Sequence, residues 1–139
     1  MPRSFLASLA ALALAASPVM AQERDAGERQ RLLDLAYTLG ESHALRQVCQ
    51  GETDQYWRAR MVRLTEVEQA DQAFDAQLRE RFNTGFAAGR GGYPTCDEAT
   101  RKAAQQSAKR GQAQAQKLSQ SMRAAHAPPP TDGGEEAAR

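Results

Sequence analysis

The stretch RLLDLAYTLGESHALRQVCQG, residues 31–51, decides the fold class of this chain. Its apolar side chains recur every three or four residues, which places them on one face of a helix. They are Leu32, Leu35, Ala36 and Leu39, with His43 on the same face. We predict a first helix from about Glu28 to Val48, ending at Gln50-Gly51, because glycine suits the left-handed position after a helix. Cys49 therefore lies at the end of this helix.

Two more helices follow in the sequence. The second is predicted to start at Thr53 or Asp54, and its apolar face comprises Trp57, Met61, Leu64, and Val67 or Glu68. The helical pattern loses its phase at 69–71, which predicts a kink or short turn. The third helix has apolar residues spaced by four, which are Phe74, Leu78, Phe82 and Phe86. We expect the cluster of Gly89, Gly91, Gly92 and Pro94 to end it.

A fourth helix is predicted from the capping-box pattern Thr95-Cys96-Asp97-Glu98 to about Ala125. In that pattern the Thr95 side chain accepts a hydrogen bond from the Glu98 amide. Four helices with short connections predict an all-α fold, a small up-and-down bundle of about four helices spanning 22–125. Residues 126–139 are rich in proline and glycine, and we predict a disordered tail there.

The first 21 residues have the pattern of a cleavable export signal. Arg3 precedes an apolar run over 5–16, and Val19 and Ala21 occupy the positions that a signal peptidase reads. The run is too short to span a bilayer, so we expect removal before Gln22, a periplasmic location and no transmembrane segment after processing.

Two cysteines in an exported chain most simply form one disulfide. In an up-down-up-down bundle the end of the first helix and the start of the fourth lie at the same end, so we predict a bond between Cys49 and Cys96. The alternative is a pair of free redox thiols, which the absence of a CxxC motif disfavours.

The charge balance excludes one class of partner. The chain has 18 Lys and Arg against 17 Asp and Glu, and removal of the signal takes Arg3 with it, so the mature chain is formally neutral. A dedicated nucleic-acid binder normally has a basic excess, and we therefore expect no nucleic-acid partner.

No catalytic motif is present in the sequence. We find no HExxH, CxxC, GxSxG or glycine-rich phosphate loop, and we predict no catalytic residue, no cofactor and no metal. His43 on an apolar face is interpreted as a hydrogen-bonded core residue, the alternative being a base or a metal ligand. A metal site formed by Cys49, Cys96 and His43 would need both thiols reduced in an oxidising compartment.

Residues 54–61, DQYWRARM, form the densest group of recognition-type side chains. Aromatic rings combined with guanidinium groups can stack on sugars or bind peptides. The candidate binding residues are Arg46, Tyr56, Trp57, Arg58 and Arg60. The alternative interpretation is that Trp57 and Met61 belong to the core while the arginines point outward.

The fourth helix has a stripe of mostly small residues with alternating four-three spacing. It comprises Ala104, Ala108, Gly111, Ala115, Leu118 and Met122. Packing within the bundle is one explanation. The other is that the helix projects beyond Gly111, so that Gly111, Ala115, Leu118 and Met122 form a self-association surface for a homo-oligomer.

Several short motifs together resemble a known family. They are His43-x-Leu45-Arg46-x-x-Cys49, Asp54-Gln55-x-Trp57-Arg58-x-x-Met61, Phe82-Asn83-x-Gly85-Phe86 and the later Cys96. In their order and spacing they resemble an alphaproteobacterial family of small secreted helical proteins, a conserved domain of unknown function. The resemblance implies a periplasmic, helical, disulfide-containing module without known catalysis.

From these observations we expect a non-catalytic binding or scaffold module of the cell envelope. The resemblance implies the kind of partner, which would be an envelope protein or peptidoglycan in the machinery of envelope growth. Two alternatives stay open, namely a cell-wall-active enzyme in which Trp57 lines a sugar groove and a helical periplasmic chaperone. The enzyme would need a cleft with convergent carboxylates or a carboxylate beside His43, and the chaperone an exposed concave apolar surface.

Overall fold

A computed structural model describes residues 25–127 of the chain. The helices are α1 (Ala26–Gln50), α2 (Tyr56–Glu68), α3 (Gln72–Gly92) and α4 (Glu98–His126). The predicted all-α fold of four packed helices is confirmed. The predicted export signal at 1–21 lies outside the described residues. So does the predicted tail at 126–139 apart from its first two residues, and the start of that prediction is wrong by one residue because His126 ends α4.

Helix α1 is the centre of the fold. Each of the other three helices packs against it, and within residues 25–127 no Cα atom of α4 lies within 8 Å of one in α2 or α3. Because α1 has neighbours on several sides, it also buries polar residues, and Ser42 shares a hydrogen bond of 2.7 Å with Ser107 of α4. The main core cluster comprises Leu32, Leu35, Ala36, Leu39, Met61, Phe74, Leu78, Phe82 and Leu118.

The closest helix contact joins α1 and α3 through glycines. A Cβ atom at Gly85 would fall on the Tyr37 carbonyl oxygen, and one at Gly40 on the Phe82 carbonyl oxygen. The two backbones therefore touch directly, which only glycine permits at both positions.

Helix α3 ends within the predicted cluster, at Gly92, but Gly89 and Gly91 do not break the helix as expected. Gly89 is a packing residue, and a Cβ there would lie 2.8 Å from the Ala44 Cβ of α1. The helix ends just before Pro94, whose ring disfavours helical conformation in the residue that precedes it.

The cap of α4 also differs from the prediction. Asp97 is the N-cap, and its Oδ1 accepts hydrogen bonds from the Thr100 amide at 2.9 Å and the Thr100 hydroxyl at 3.0 Å. That hydroxyl also lies 2.6 Å from the Thr95 carbonyl oxygen. The predicted N-cap, Thr95, is therefore wrong by two residues. The reason is that Thr100 is buried and its hydroxyl needs hydrogen-bond partners, which Asp97 and Thr95 provide.

The predicted bond between Cys49 and Cys96 is confirmed, with the two Cα atoms 4.9 Å apart. The expected projection of α4 beyond Gly111 is wrong. Leu118 is only 6% exposed and belongs to the core cluster, and the Ser121 hydroxyl donates to Glu28 of α1 at 3.0 Å. The reason is the length of α1, which supports α4 over most of its course.

Candidate functional site

The loop between α1 and α2 is held by side chains of the last turns of α1. The Arg46 Nε lies 2.9 Å from both carboxylate oxygens of Asp54, and the Gln47 amide donates to the carbonyls of Glu52 and Asp54. Asp54 in turn accepts from the Tyr56 amide at 3.1 Å. The start of α2 is therefore fixed relative to the end of α1.

Asp54 is ionised in this arrangement. Partial burial would raise the pKa of its carboxyl, but the hydrogen bonds from Arg46 and from the Tyr56 amide outweigh that effect. The net result is a pKa below the usual value for aspartate. The charged carboxylate keeps Arg46 beside α2.

Four of the five candidate binding residues form one stack. The guanidinium carbons of Arg46 and Arg60 lie 4.6 and 3.5 Å from the Tyr56 ring centroid, and Trp57 packs edge-on against Tyr56 at 5.0 Å. Arg58 is not part of this stack. It lines a separate cleft of about 360 Å³ between α2 and α3, together with Met61 and other residues.

The stack lies at one end of an open groove between α2 and α4, which we call the α2–α4 groove. Its volume is about 640 Å³. Leu35 and Leu39 of α1 form the floor. The α2 side is lined by Tyr56, Trp57, Arg60, Arg63, Leu64 and Val67, and the α4 side by Ala108, Lys109, Gly111, Gln112 and Ala115. The groove exists because α2 and α4 both pack on α1, while among the described residues no Cα atom of one lies within 8 Å of a Cα atom of the other.

Trp57 lies partly in the core and partly on the groove surface, and its role in binding stays a prediction. The side chain is half-buried and packs against the core cluster, while another part of it lines the α2–α4 groove. It also borders a smaller hollow of about 300 Å³ beside Cys49, which shares Trp57 and Ala108 with the lining of the groove. The single tryptophan thus links the core to the groove.

The electrostatic character of the groove is basic. Arg60, Arg63 and Lys109 lie on its rim, and its lining residues include no carboxylate and no histidine. Within residues 25–127 none of the three cations forms an ion pair. No group of His, Cys, Asp and Glu side chains in this part of the chain could hold a metal ion.

The four candidate self-association residues do not share one exposed surface. Gly111 is buried against Thr38, and Leu118 lies in the core. Met122 is half-buried, and Ala115 alone is exposed, on the groove wall. A single chain does not test self-association, which stays a prediction.

His43 lies away from the α2–α4 groove. Its side chain is 4% exposed and packs between the rings of Phe82 and Phe86, with centroids 5.7 and 5.4 Å away. Burial lowers the pKa of its imidazole, the positive charge of Arg58 lowers it further, and Asp54 opposes the change. The predicted burial of His43 is confirmed, but the expected hydrogen bonding is not, because its buried Nδ1 has no hydrogen-bond partner within residues 25–127.

This environment predicts a pH-dependent stability. Because the folded pKa of His43 is below the ordinary value of about 6.5, the unfolded chain takes up a proton first as the pH falls. The contribution of the neutral His43 imidazole to the free energy of unfolding is therefore fully present above about pH 6.5, and it decreases as the pH falls below that value. Urea unfolding between about pH 7 and 5.5 should show this loss, and His43→Gln should remove most of it. An NMR titration in His126→Gln, which isolates His43, should give a midpoint below about 6.5, and a higher midpoint would contradict the prediction.

Sequence reasoning missed Arg63, Lys109 and the floor residues Leu35 and Leu39 as parts of one site. The periodicity of α2 contains a usable signal, because Tyr56, Arg60, Arg63 and Val67 recur every three or four residues beside the core face. Nothing in the sequence indicates that α4 forms the opposite wall.

The fold and the groove define a small all-α domain with one disulfide and an open apolar groove. The chain belongs to the family described as protein of unknown function (DUF2385), whose model matches residues 28–122. The match covers α1 except its first two residues, all of α2 and α3, most of α4, the disulfide and the whole groove.

No curated protein and no solved structure matches the chain. In residues 25–127 every helix is too short or too polar to cross a membrane.

Proposed function

We propose that this chain is a non-catalytic binding module of the cell envelope, and that the α2–α4 groove binds an apolar segment of a partner protein. The observation that supports this most directly is the concave apolar lining, which is open to solvent. Val67, 68% exposed, and Tyr56, 42% exposed, stand at its edge. Apolar concave surfaces of this kind are typical of binding sites.

The lining favours binding over catalysis. General acid–base chemistry in a sugar groove needs a pair of carboxylates at the substrate, and the groove residues supply none. The only histidine with a described side chain, His43, is enclosed between two phenylalanines. Tyr56 and Trp57 could stack on a sugar, but the aliphatic residues around them suit a protein segment better.

A periplasmic location is the second part of the proposal. The export-signal pattern over 1–21 supports it. The pairing of Cys49 with Cys96 supports it as well, because disulfides persist in oxidising compartments.

Site-specific photocrosslinking tests the groove as the binding site. Benzoylphenylalanine replaces Ala115 on the groove wall or, as a control, Ala87, an exposed helical alanine of α3 outside the groove. The chain is expressed with its own leader, so the mass of the mature protein, expected to begin at Gln22, checks export in the same sample. We expect a discrete adduct from position 115 in the envelope fraction and none from position 87. Equal labelling at both positions, or none, would contradict the proposal.

A matched pair of substitutions makes this test specific. Val67→Asp places a charge on the groove wall, whereas Val62→Asp makes the same change on α2 at a residue of the α2–α3 cleft that is 49% exposed. Only Val67→Asp should abolish the adduct. Both valines are exposed, so neither variant should lose its fold.

A periplasmic chaperone is the second candidate, and the concave apolar groove favours it. A chaperone would give many adducts from position 115 and protect unfolded clients from aggregation. One dominant adduct and no protection would favour the binding module.

A further inference from the structure

We infer that the occupant of the α2–α4 groove is an amphipathic helix of another protein, with an apolar face and acidic flanks. This inference rests on the proposed binding function and adds the chemical class of the partner. It follows from the shape of the groove, from its charge and from the charge of α4.

The shape of the groove suits a helix. Its α2 side extends from Tyr56 to Val67, which at 1.5 Å per residue is about 16 Å, or three turns of a partner helix. Within residues 25–127 the α2 and α4 backbones stay apart, while both pack on α1. A helix lying between them over Leu35 and Leu39 would contact three helices at once. It would bury residues at i, i+3, i+4 and i+7.

The α4 wall permits a close approach. Ala108 and Ala115 line it at a spacing of seven residues, and their short side chains let a partner backbone come near. The α2 wall offers larger anchors in Trp57 and Leu64. One wall of the groove therefore has small side chains and the other has large ones. A helix with leucine-sized side chains packs well into such an arrangement.

The charges require acidic flanks on the partner. Arg60 and Arg63 border the groove on α2, and Lys109 borders it on α4, with no acidic residue in the lining. An occupant with carboxylates beside its apolar face would pair with cations on both rims. A basic occupant would place like charges together, which costs affinity.

The charge of α4 also argues against a second copy of this chain bound through the same helix. Six of the seven Lys, Arg, Asp and Glu residues of α4 are basic, with Glu98 as the single acid. The basic residues are Arg101, Lys102, Lys109, Arg110, Lys117 and Arg123. Two such helices would repel each other. The stripe of small residues on α4 therefore fits an acidic partner helix better than it fits the α4 helix of a second copy.

Three synthetic peptides of about 14 residues test the inference. The first has leucines on one helical face and glutamates beside them. The second replaces every glutamate with lysine, and the third scrambles the first so that no apolar face forms. Binding to the exported protein is followed by the fluorescence of Trp57, the only tryptophan in the chain, which lies in the groove. The peptides contain no aromatic residue.

We expect the acidic peptide to bind at least about tenfold more tightly than its lysine twin and its scrambled form. Its affinity should fall several-fold between about 50 and 300 mM salt. The double variant Arg63→Glu/Lys109→Glu should reverse the preference between the charged peptides. Lys102→Glu, on the same helix but outside the groove, should leave it unchanged.

Four results would overturn the inference. Equal binding of the two charged peptides would leave an apolar groove without charge selection, and equal binding of the scrambled peptide would exclude recognition of a helical face. A Trp57 response to phosphatidylglycerol vesicles but not to the acidic peptide would indicate a lipid surface. A dimer in sedimentation that does not bind the acidic peptide and that Val67→Asp dissociates would indicate a second copy in the groove.

The photocrosslinking experiment separates this inference from the proposed function. An adduct at position 115 without any peptide binding would overturn the acidic helix and leave the binding module standing. The absence of both would overturn both.

Discussion

Gly85→Ala should lower the free energy of unfolding by about 3 kcal/mol, at the upper end of the usual cost of overpacking. The added methyl group would occupy the position of the Tyr37 carbonyl oxygen on α1. Backbone atoms cannot rotate away as a side chain can, so α1 and α3 must move apart. For a domain of this size the melting temperature should fall by about 10–20 °C, which thermal denaturation followed by circular dichroism measures.

Gly91→Ala is the matched control for this prediction. It makes the same substitution in the same helix, but no atom lies within 4 Å of the added Cβ. Alanine is also the better helix former, so we expect a neutral result or a gain of about 0.5 kcal/mol. If the two variants were equally stable, the direct backbone contact between α1 and α3 would be wrong.

A double variant extends the argument across the same contact. Gly40→Ala places its methyl group on the Phe82 carbonyl oxygen, on the other side of the crossing. Once one methyl group has separated the helices, the second meets less resistance. The double variant Gly40→Ala/Gly85→Ala should therefore lose less stability than the sum of the two single losses.

The sequence predicted the helices themselves because each has one clear apolar face. In α1 and α3 the large apolar residues recur at helical spacing and are buried. They are Leu32, Leu35 and Leu39 in α1, and Phe74, Leu78 and Phe82 in α3. The cysteine pairing also followed, from the presence of two cysteines behind an export-signal pattern and from the order of the helices. These features depend on local periodicity and chain topology, and a single sequence contains both.

The errors concern residues whose role depends on a neighbouring helix. Gly89 has the character of a helix breaker in the sequence, but in the fold it lets α3 lie against Ala44. Thr95 fits a capping box, but the burial of Thr100 shifts the cap to Asp97. Leu118 was expected on a projecting segment, but the length of α1 keeps it in the core. None of these tertiary contacts has a local signature.

The candidate site was predicted in pieces. Tyr56, Trp57 and Arg60 stand together in the sequence, so their composition alone marked them as a group. The stripe that includes Gly111 and Ala115 was noted separately, with a different role. That the two groups face each other follows only from the absence of contact between α2 and α4 within the described residues.

Removal of the disulfide should have the largest effect of any change predicted here. The bond joins residues 47 positions apart, and closing a loop of that length stabilises the fold by about 4 kcal/mol in the chain-entropy model. Total stabilities of domains are about 5–15 kcal/mol, so this is a large fraction. We expect Cys49→Ser, Cys96→Ser and the double variant to lose nearly the same amount in urea unfolding, because each breaks the same bond.

The loss should be concentrated in α4. Among the helices of residues 25–127, only α1 has Cα atoms within 8 Å of those of α4, and Leu118 is the one large apolar side chain of α4 in the core cluster. Thr100, Ser107 and Gly111 add close contacts but little apolar area. Hydrogen exchange should therefore show a greater loss of protection in α4 than in α1 and α3 when the bond is absent. Wild-type protein with its disulfide reduced should match the double variant. The contradicting result would be a double variant whose loss of stability equals the sum of the two single losses. Each cysteine would then stabilise the fold through its own contacts. The connection between α1 and α4 would have to come from the packing of Leu118 and from the Ser42–Ser107 hydrogen bond.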